Sequence, residues 1–98
     1  MIRELATLHI DEDKSAAFEA AVSQAAELFE GARGCHGMAL ERVIEKPGCY
    51  ILRVDWETVE DHTVHFRSSD AFTRWRALAA PFFTSPPSVV HVETERFF

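Results

Sequence analysis

Apolar residues recur along this chain at two spacings, every second position and every third or fourth, and the switches between them predict its elements. The run "IRELATLHI" (residues 2–10) sets Ile2, Ala6, Leu8 and Ile10 at alternate positions, imperfectly, and predicts a first strand. After the acidic "DED", with Asp13 as N-cap, Phe18, Ala21, Val22, Ala25, Leu28 and Phe29 keep a helical spacing until "GARG", which predicts a helix over roughly residues 14–31. The runs "CHGMALERVI" (35–44) and "CYILRVDW" (49–56) flank "EKPG", whose Pro-Gly pair suits a tight turn, so they predict a hairpin. Thr58 and Asp61 make a capping-box-like start to a short helix with Val59, His62 and Phe66 on one face. Ser69 or Asp70 caps a second helical stretch with Phe72, Trp75, Ala79 and Phe82 or Phe83 on one face, which Pro81 distorts or ends. Beyond Pro86-Pro87, "SVVHVETERFF" (88–98) predicts the last strand.

This order, β-α-β-β-α-β with the second helical unit broken in two, is the ferredoxin-like split arrangement of an α+β fold. With 98 residues, 47% of them hydrophobic, the chain is read as one domain over residues 1–98. Helices cover one face of such a sheet. The other face carries Leu5, Thr7, His9, Ile51, Arg53 and Asp55, and no element is left to cover it. A second copy across a two-fold axis is the simplest cover, so a homodimer is expected, with the apolar Phe97-Phe98 end reaching into the partner.

Charge narrows the partners. Sixteen acidic residues against 10 basic leave a formal charge of −6, and no Lys/Arg stripe forms, which excludes a nucleic-acid or anionic-membrane partner. Arg3, Glu4 and Asp11 interrupt any signal-like apolar core, no run reaches the length of a membrane span, and a cytoplasmic location is the expectation. Cys35 and Cys49 fall at opposite ends of the predicted hairpin, some 30 Å apart at about 3.3 Å per residue, so both are expected as free thiols.

The stretch "WETVEDHTVHFRSSDAFTRWRAL" (56–78), followed by "PFF", a Pro-rich gap and "VVHV", resembles the antibiotic biosynthesis monooxygenase domain family of dimeric α/β barrels. The resemblance covers the whole chain in element order, with its signature confined to Trp56 through His91. It implies a homodimer whose sheets face each other and a pocket in each subunit between sheet and helices. In characterised members such a pocket oxidises polycyclic phenols or quinols with O₂ and without metal or flavin; other members degrade haem, isomerise small metabolites, or have no assigned activity. The haem-degrading branch uses an Asn on the first strand with a Trp and a His on the helices, and the polyketide-oxidising branch also draws on an Asn. This chain contains no Asn, and Thr7, the nearest polar residue of the first strand, does not donate as an amide does. Haem degradation therefore falls well behind oxidation of a phenol, which needs chiefly a base and a dry pocket for O₂.

Three histidines are the catalytic candidates. His62, one turn from Val59 and Phe66, points inward, where a neutral imidazole of lowered pKa accepts a phenolic proton; the plainer alternative is a core His bonded to a carbonyl. His91 on the last strand enters the same pocket or faces the partner. His65, about 60° around the helix from His62, faces a rim or the partner. Trp56 and Tyr50 share a strand face and, with Phe66, Phe72 and Trp75, make stacking walls for a flat aromatic substrate. Arg53 and Asp55 are expected in interface ion pairs, and Arg67, Arg74 and Arg76 in solvent, with Asp70 to Arg74 a helical pair. Asp61-His62-x-x-His65 has no matching ligand cluster elsewhere, so no metal and no cofactor is expected. The resulting expectation is a cofactor-independent monooxygenase acting on a small aromatic or quinol-like metabolite. The alternatives are a non-catalytic small-molecule-binding or stress-associated dimer, and an isomerase using the same His. An open cavity of a few hundred Å³ separates a ligand site from a filled core.

Overall fold

Period-two burial builds the sheet. In the computed structural model, which describes residues 1–98, the even positions Glu4, Ala6 and Leu8 of β1 (Ile2–His9) and Tyr50, Leu52, Val54 and Trp56 of β3 (Cys49–Trp56) are buried on one face. The two strands run antiparallel with Ala6 opposite Leu52 and Leu8 opposite Tyr50. β2 (Cys35–Arg42) adds to the free edge of β3 and β4 (Ser88–Val92) to that of β1, giving the ferredoxin-like order β2-β3-β1-β4. Helix α1 (Ser15–Glu30) buries Phe18, Val22, Ala25 and Phe29 along one stripe, and α2 (Asp70–Ala79) buries Trp75 and Ala79. Both stripes meet the even face of the sheet. The Phe18 ring lies 5.1 Å from Tyr50, and Phe29 lies 4.8 Å from Phe66 and 5.2 Å from Trp75.

Element ends depart from the pattern for local reasons. Asp13 does not cap α1: it sits inside a 3₁₀ turn, Glu12–Lys14, that Lys14 N closes by donating to Asp11 O at 3.0 Å. β1 stops at His9, with Ile10 making one bridge to Phe83, and β2 stops at Arg42 where the turn begins. Gly48 completes that turn at φ 86°, and a Cβ there would meet Ile10 O at 2.5 Å, so the position needs glycine twice over. The last strand ends at Val92, opposite Arg3, because β1 has almost no residues left to pair with; residues 93–98 continue without regular structure, and Phe97 and Phe98 are exposed.

The second sheet face lies open. Leu5, Thr7, His9, Ile51, Arg53 and Asp55 are only half-buried there, and Val90 is exposed. Arg53 and Asp55 find their partners within the chain, Arg3 Nε to Asp55 Oδ1 at 2.7 Å and Arg53 Nε to Glu41 Oε1 at 3.3 Å, where the sequence pattern places them in pairs across an interface. Cys35 and Cys49 are free thiols at opposite ends of β3's pairing, Cys35 opposite Trp56 and Cys49 opposite His9. No helix is long and apolar enough to cross a membrane.

Candidate functional site

The segment between β3 and α2 is anchored before it is wound. Thr58 Oγ1 accepts from Asp61 N at 3.1 Å and donates to Asp61 Oδ2 at 3.0 Å, the cap that the spacing predicts. Buried Asp61 then fills the space beside Gly34, at φ 75°, where any Cβ would collide with its carboxylate. From this anchor the helix widens. Arg67 N donates to His62 O at 3.1 Å, five residues back, and residues Asp61–Phe66 form a π-helix, a geometry frequent at functional sites. Ser69 Oγ accepts from Phe72 N at 3.2 Å and starts α2.

The wide turn brings His62 against three groups. Its ring stacks on Trp56 at 5.4 Å and 17°, its Nδ1 lies 2.8 Å from His91 Nε2, and its Nε2 lies 3.3 Å from Glu4 Oε1. Glu4 and His91 are direct neighbours across the β1–β4 pairing, so the sheet holds both on the face that meets the helices. Trp56 Nε1 donates to Glu4 Oε1 at 3.0 Å. The approach of Glu4 to His62 Nε2 lacks hydrogen-bond alignment, whereas Nδ1 and His91 Nε2 share one hydrogen bond whichever ring carries its proton. Burial disfavours charge on His62, and the nearby Arg67 and His91 act in the same sense, holding its pKa down at about 4. Burial likewise lowers His91, again helped by Arg67. Burial raises Glu4, opposed by the Trp56 N–H and by Arg67.

A cavity of about 220 Å³ opens beside this chain of groups, between the sheet and the helical segments. Glu4, Ala6, Leu8 and Leu52 form its floor, Phe66, Phe72 and Trp75 its aromatic wall, and His62 one end. Phe29, Phe83, Pro87 and Val89 add apolar surface, and exposed Arg67 and Arg76 complete the lining.

The structure thus assembles His62, His91, Phe66, Phe72 and Trp75 in one neighbourhood. Trp56 backs the site rather than lining it, fully buried behind the His62 ring. Tyr50 is not there: it lies toward the opposite end of β3, with its hydroxyl donating to Glu19 Oε2 at 2.6 Å. His65 is exposed on the outside of the π-helix and does not reach the cavity. Arg67 and Arg76 are exposed as expected and also line the cavity, while Arg74 pairs with Asp70 at 3.4 Å as the helical spacing predicts. Glu4 is the site residue that sequence reasoning misses. Its signal is in the pattern, since it occupies an alternate position of β1 where the period calls for an apolar residue. No group of three His, Cys, Asp or Glu side chains is arranged to hold a metal ion.

Comparison with known proteins places these features in context. Residues 1–78 match the family model described as antibiotic biosynthesis monooxygenase, a span that holds most of the cavity lining, including His62, Arg67 and Arg76, while His91 lies beyond it. A Bordetella bronchiseptica protein whose crystal structure is described as that of a candidate antibiotic biosynthesis monooxygenase is 48% identical, with 97% of each chain covered and a TM-score of 0.94. The uncharacterized protein YczJ of Bacillus subtilis (strain 168) is 42% identical over 93 residues, 95% of this chain and 98% of that protein. A Caulobacter crescentus structure of the same description is 22% identical with a TM-score of 0.82, covering 97% of this chain and 90% of that one, a likeness of fold alone.

Proposed function

The chain belongs to the antibiotic biosynthesis monooxygenase family, and on that premise we propose that it is a cofactor-independent monooxygenase that oxidises a small aromatic or quinol-like metabolite with O₂. The observation that carries the reading is buried His62 on the lining of a cavity walled by Phe66, Phe72 and Trp75, in the tautomer that donates from Nδ1 to His91 and leaves Nε2 to accept. A phenol whose ring oxygen meets Nε2 transfers its proton there. The imidazolium so formed lies 3.3 Å from Glu4 Oε1, whose carboxylate form favours it, and its Nδ1–H is bonded to His91, the acceptor to which the proton moves on. Half-buried His91 then passes the proton toward solvent. The phenolate reduces O₂ directly: one oxygen atom enters a ring carbon ortho or para to the hydroxyl and displaces its hydrogen, the other leaves as water, and the substrate supplies all four electrons as it becomes a quinone.

The open sheet face supports a homodimer with the two sheets opposed. Arg53 Nε is buried there, 3.3 Å from Glu41 Oε1 but without hydrogen-bond alignment, and half-buried Leu5 and Ile51 share the face, a mixture suited to a partner rather than to water.

The decisive experiment measures O₂ consumption by chelator-treated protein against a panel of naphthols, anthrones and quinols, beside His62→Gln. Expected is uptake of one O₂ per substrate, falling about a hundredfold or more in the variant, the scale of a lost general base. No uptake with any panel member would replace the oxygenase reading with that of a binding dimer or an isomerase.

A further inference from the structure

Ion pairing in this chain leaves one conspicuous gap. Arg3, Arg33, Arg42, Arg53 and Arg74 each pair with a carboxylate, whereas Arg67, Arg76 and Arg96 have none. In a chain with 16 acidic residues and a net charge of −6, partners are abundant, yet two of the three unpaired guanidiniums lie on the lining of the same cavity. The only carboxylate among the lining residues is Glu4, which is buried at the floor and already accepts the Trp56 N–H.

The cavity lining therefore combines three kinds of group: buried polar His62 and Glu4, the aromatic rings of Phe66, Phe72 and Trp75, and the exposed guanidinium-bearing Arg67 and Arg76. A planar guanidinium fork recognises a carboxylate through two parallel N–H bonds, and an unpaired one at an entrance is available to do so. The negative field of the remaining protein repels an anionic ligand, so local positive charge is what admits one. The exposure of both guanidiniums sets the anionic end of such a ligand toward solvent, away from buried His62 and Glu4. A volume of about 220 Å³ falls below that of drug-sized sites, which limits the ligand to one or two rings.

We propose that the ligand of this cavity is a hydroxylated aromatic carboxylate of one or two rings, bound with its hydroxyl at His62 and its carboxylate at Arg67 and Arg76. The assignment deepens the oxygenase reading and rests on the same site, but binding and turnover test the two separately.

Isothermal titration with 6-hydroxy-2-naphthoate and with 2-naphthol, the same ring system with and without the carboxylate, reads the preference at low ionic strength. The acid is expected to bind about tenfold or more tightly than the phenol. In the Arg67→Gln/Arg76→Gln variant that ratio falls to about twofold or less, circular dichroism confirming the fold. Equal affinities in the wild type, an undiminished ratio in the variant, or binding of neither compound overturns the proposal. An intact preference for the acid without O₂ uptake from it or from the wider panel sustains the proposal and removes the oxygenase reading instead.

Discussion

Acidification tests the His62 assignment most directly. His62 is 3% exposed and its pKa is held at about 4 against 6.5 in an unfolded chain. The unfolded chain therefore binds the proton first as pH falls below 6.5, and folding stability drops until about pH 4; above 6.5 the contribution is complete. At 1.36 kcal/mol per unit the whole shift is worth about 3 kcal/mol, of which about 2 kcal/mol is lost between about pH 7.5 and pH 5. Glu4 acts with the opposite sign. Its folded pKa is raised, so its contribution is full below the unfolded value of 4.5 and fades as pH rises through the folded one, which offsets part of the His62 loss in the wild type. His62→Gln retains a donor for His91 without a titrating ring and isolates the difference. Urea unfolding monitored by tryptophan fluorescence, at one protein concentration because an associating chain gains apparent stability by mass action, should show the wild type losing about 2 kcal/mol more than the variant over this range. Parallel pH profiles for the two proteins would refute the claim that His62 is buried in its neutral form.

Three further outcomes rest on particular contacts. Trp56→Phe removes the donor to Glu4 Oε1 and should cost about 1–3 kcal/mol in urea unfolding, less at acid pH where Glu4 is protonated; a pH-independent cost would mean that the bond carries no part of it. Gly48→Ala forces a side chain onto φ 86° and against Ile10 O, and should destabilise by more than about 1 kcal/mol, read as a fall of several degrees in thermal midpoint; an unchanged midpoint would show that the turn relaxes freely. Leu5→Glu places a charge on the open sheet face; the wild type is expected to run as a dimer in light scattering and the variant as a monomer, and a variant that stays dimeric would move the proposed interface elsewhere.

The fold is legible in the sequence because its strands and helices each keep one period: Ala6, Leu8, Leu52 and Val54 alternate without a break, and Phe18, Val22, Ala25 and Phe29 hold one stripe. Ends are less legible, since they depend on partners. Nothing within "SVVHVETERFF" says that β1 offers almost no register beyond Arg3, and nothing within "DED" says that a 3₁₀ turn precedes α1. The site is half legible. His62 and the aromatic wall come from helical spacing, but Arg67 reaches the cavity only because the π-helix rotates the residues C-terminal to it, a geometry that no spacing rule anticipates. Tyr50 shows the limit of face assignment: alternation puts it on the correct side of β3, yet six residues at about 3.3 Å each separate it from Trp56.

The wide turn at Asp61–Phe66 also bears on how this site tolerates length change. A π-turn is an α-helix carrying one surplus residue, so dropping Thr63 or Val64 would leave a stretch of ordinary helix that still links β3 to α2. The flanking elements would keep their places, and His62 and Arg67, four residues apart instead of five, would stand one α-turn apart on the same side. Loss of one residue here is therefore the length change this connection absorbs most readily, with the sheet, the helices and the core stripe unmoved.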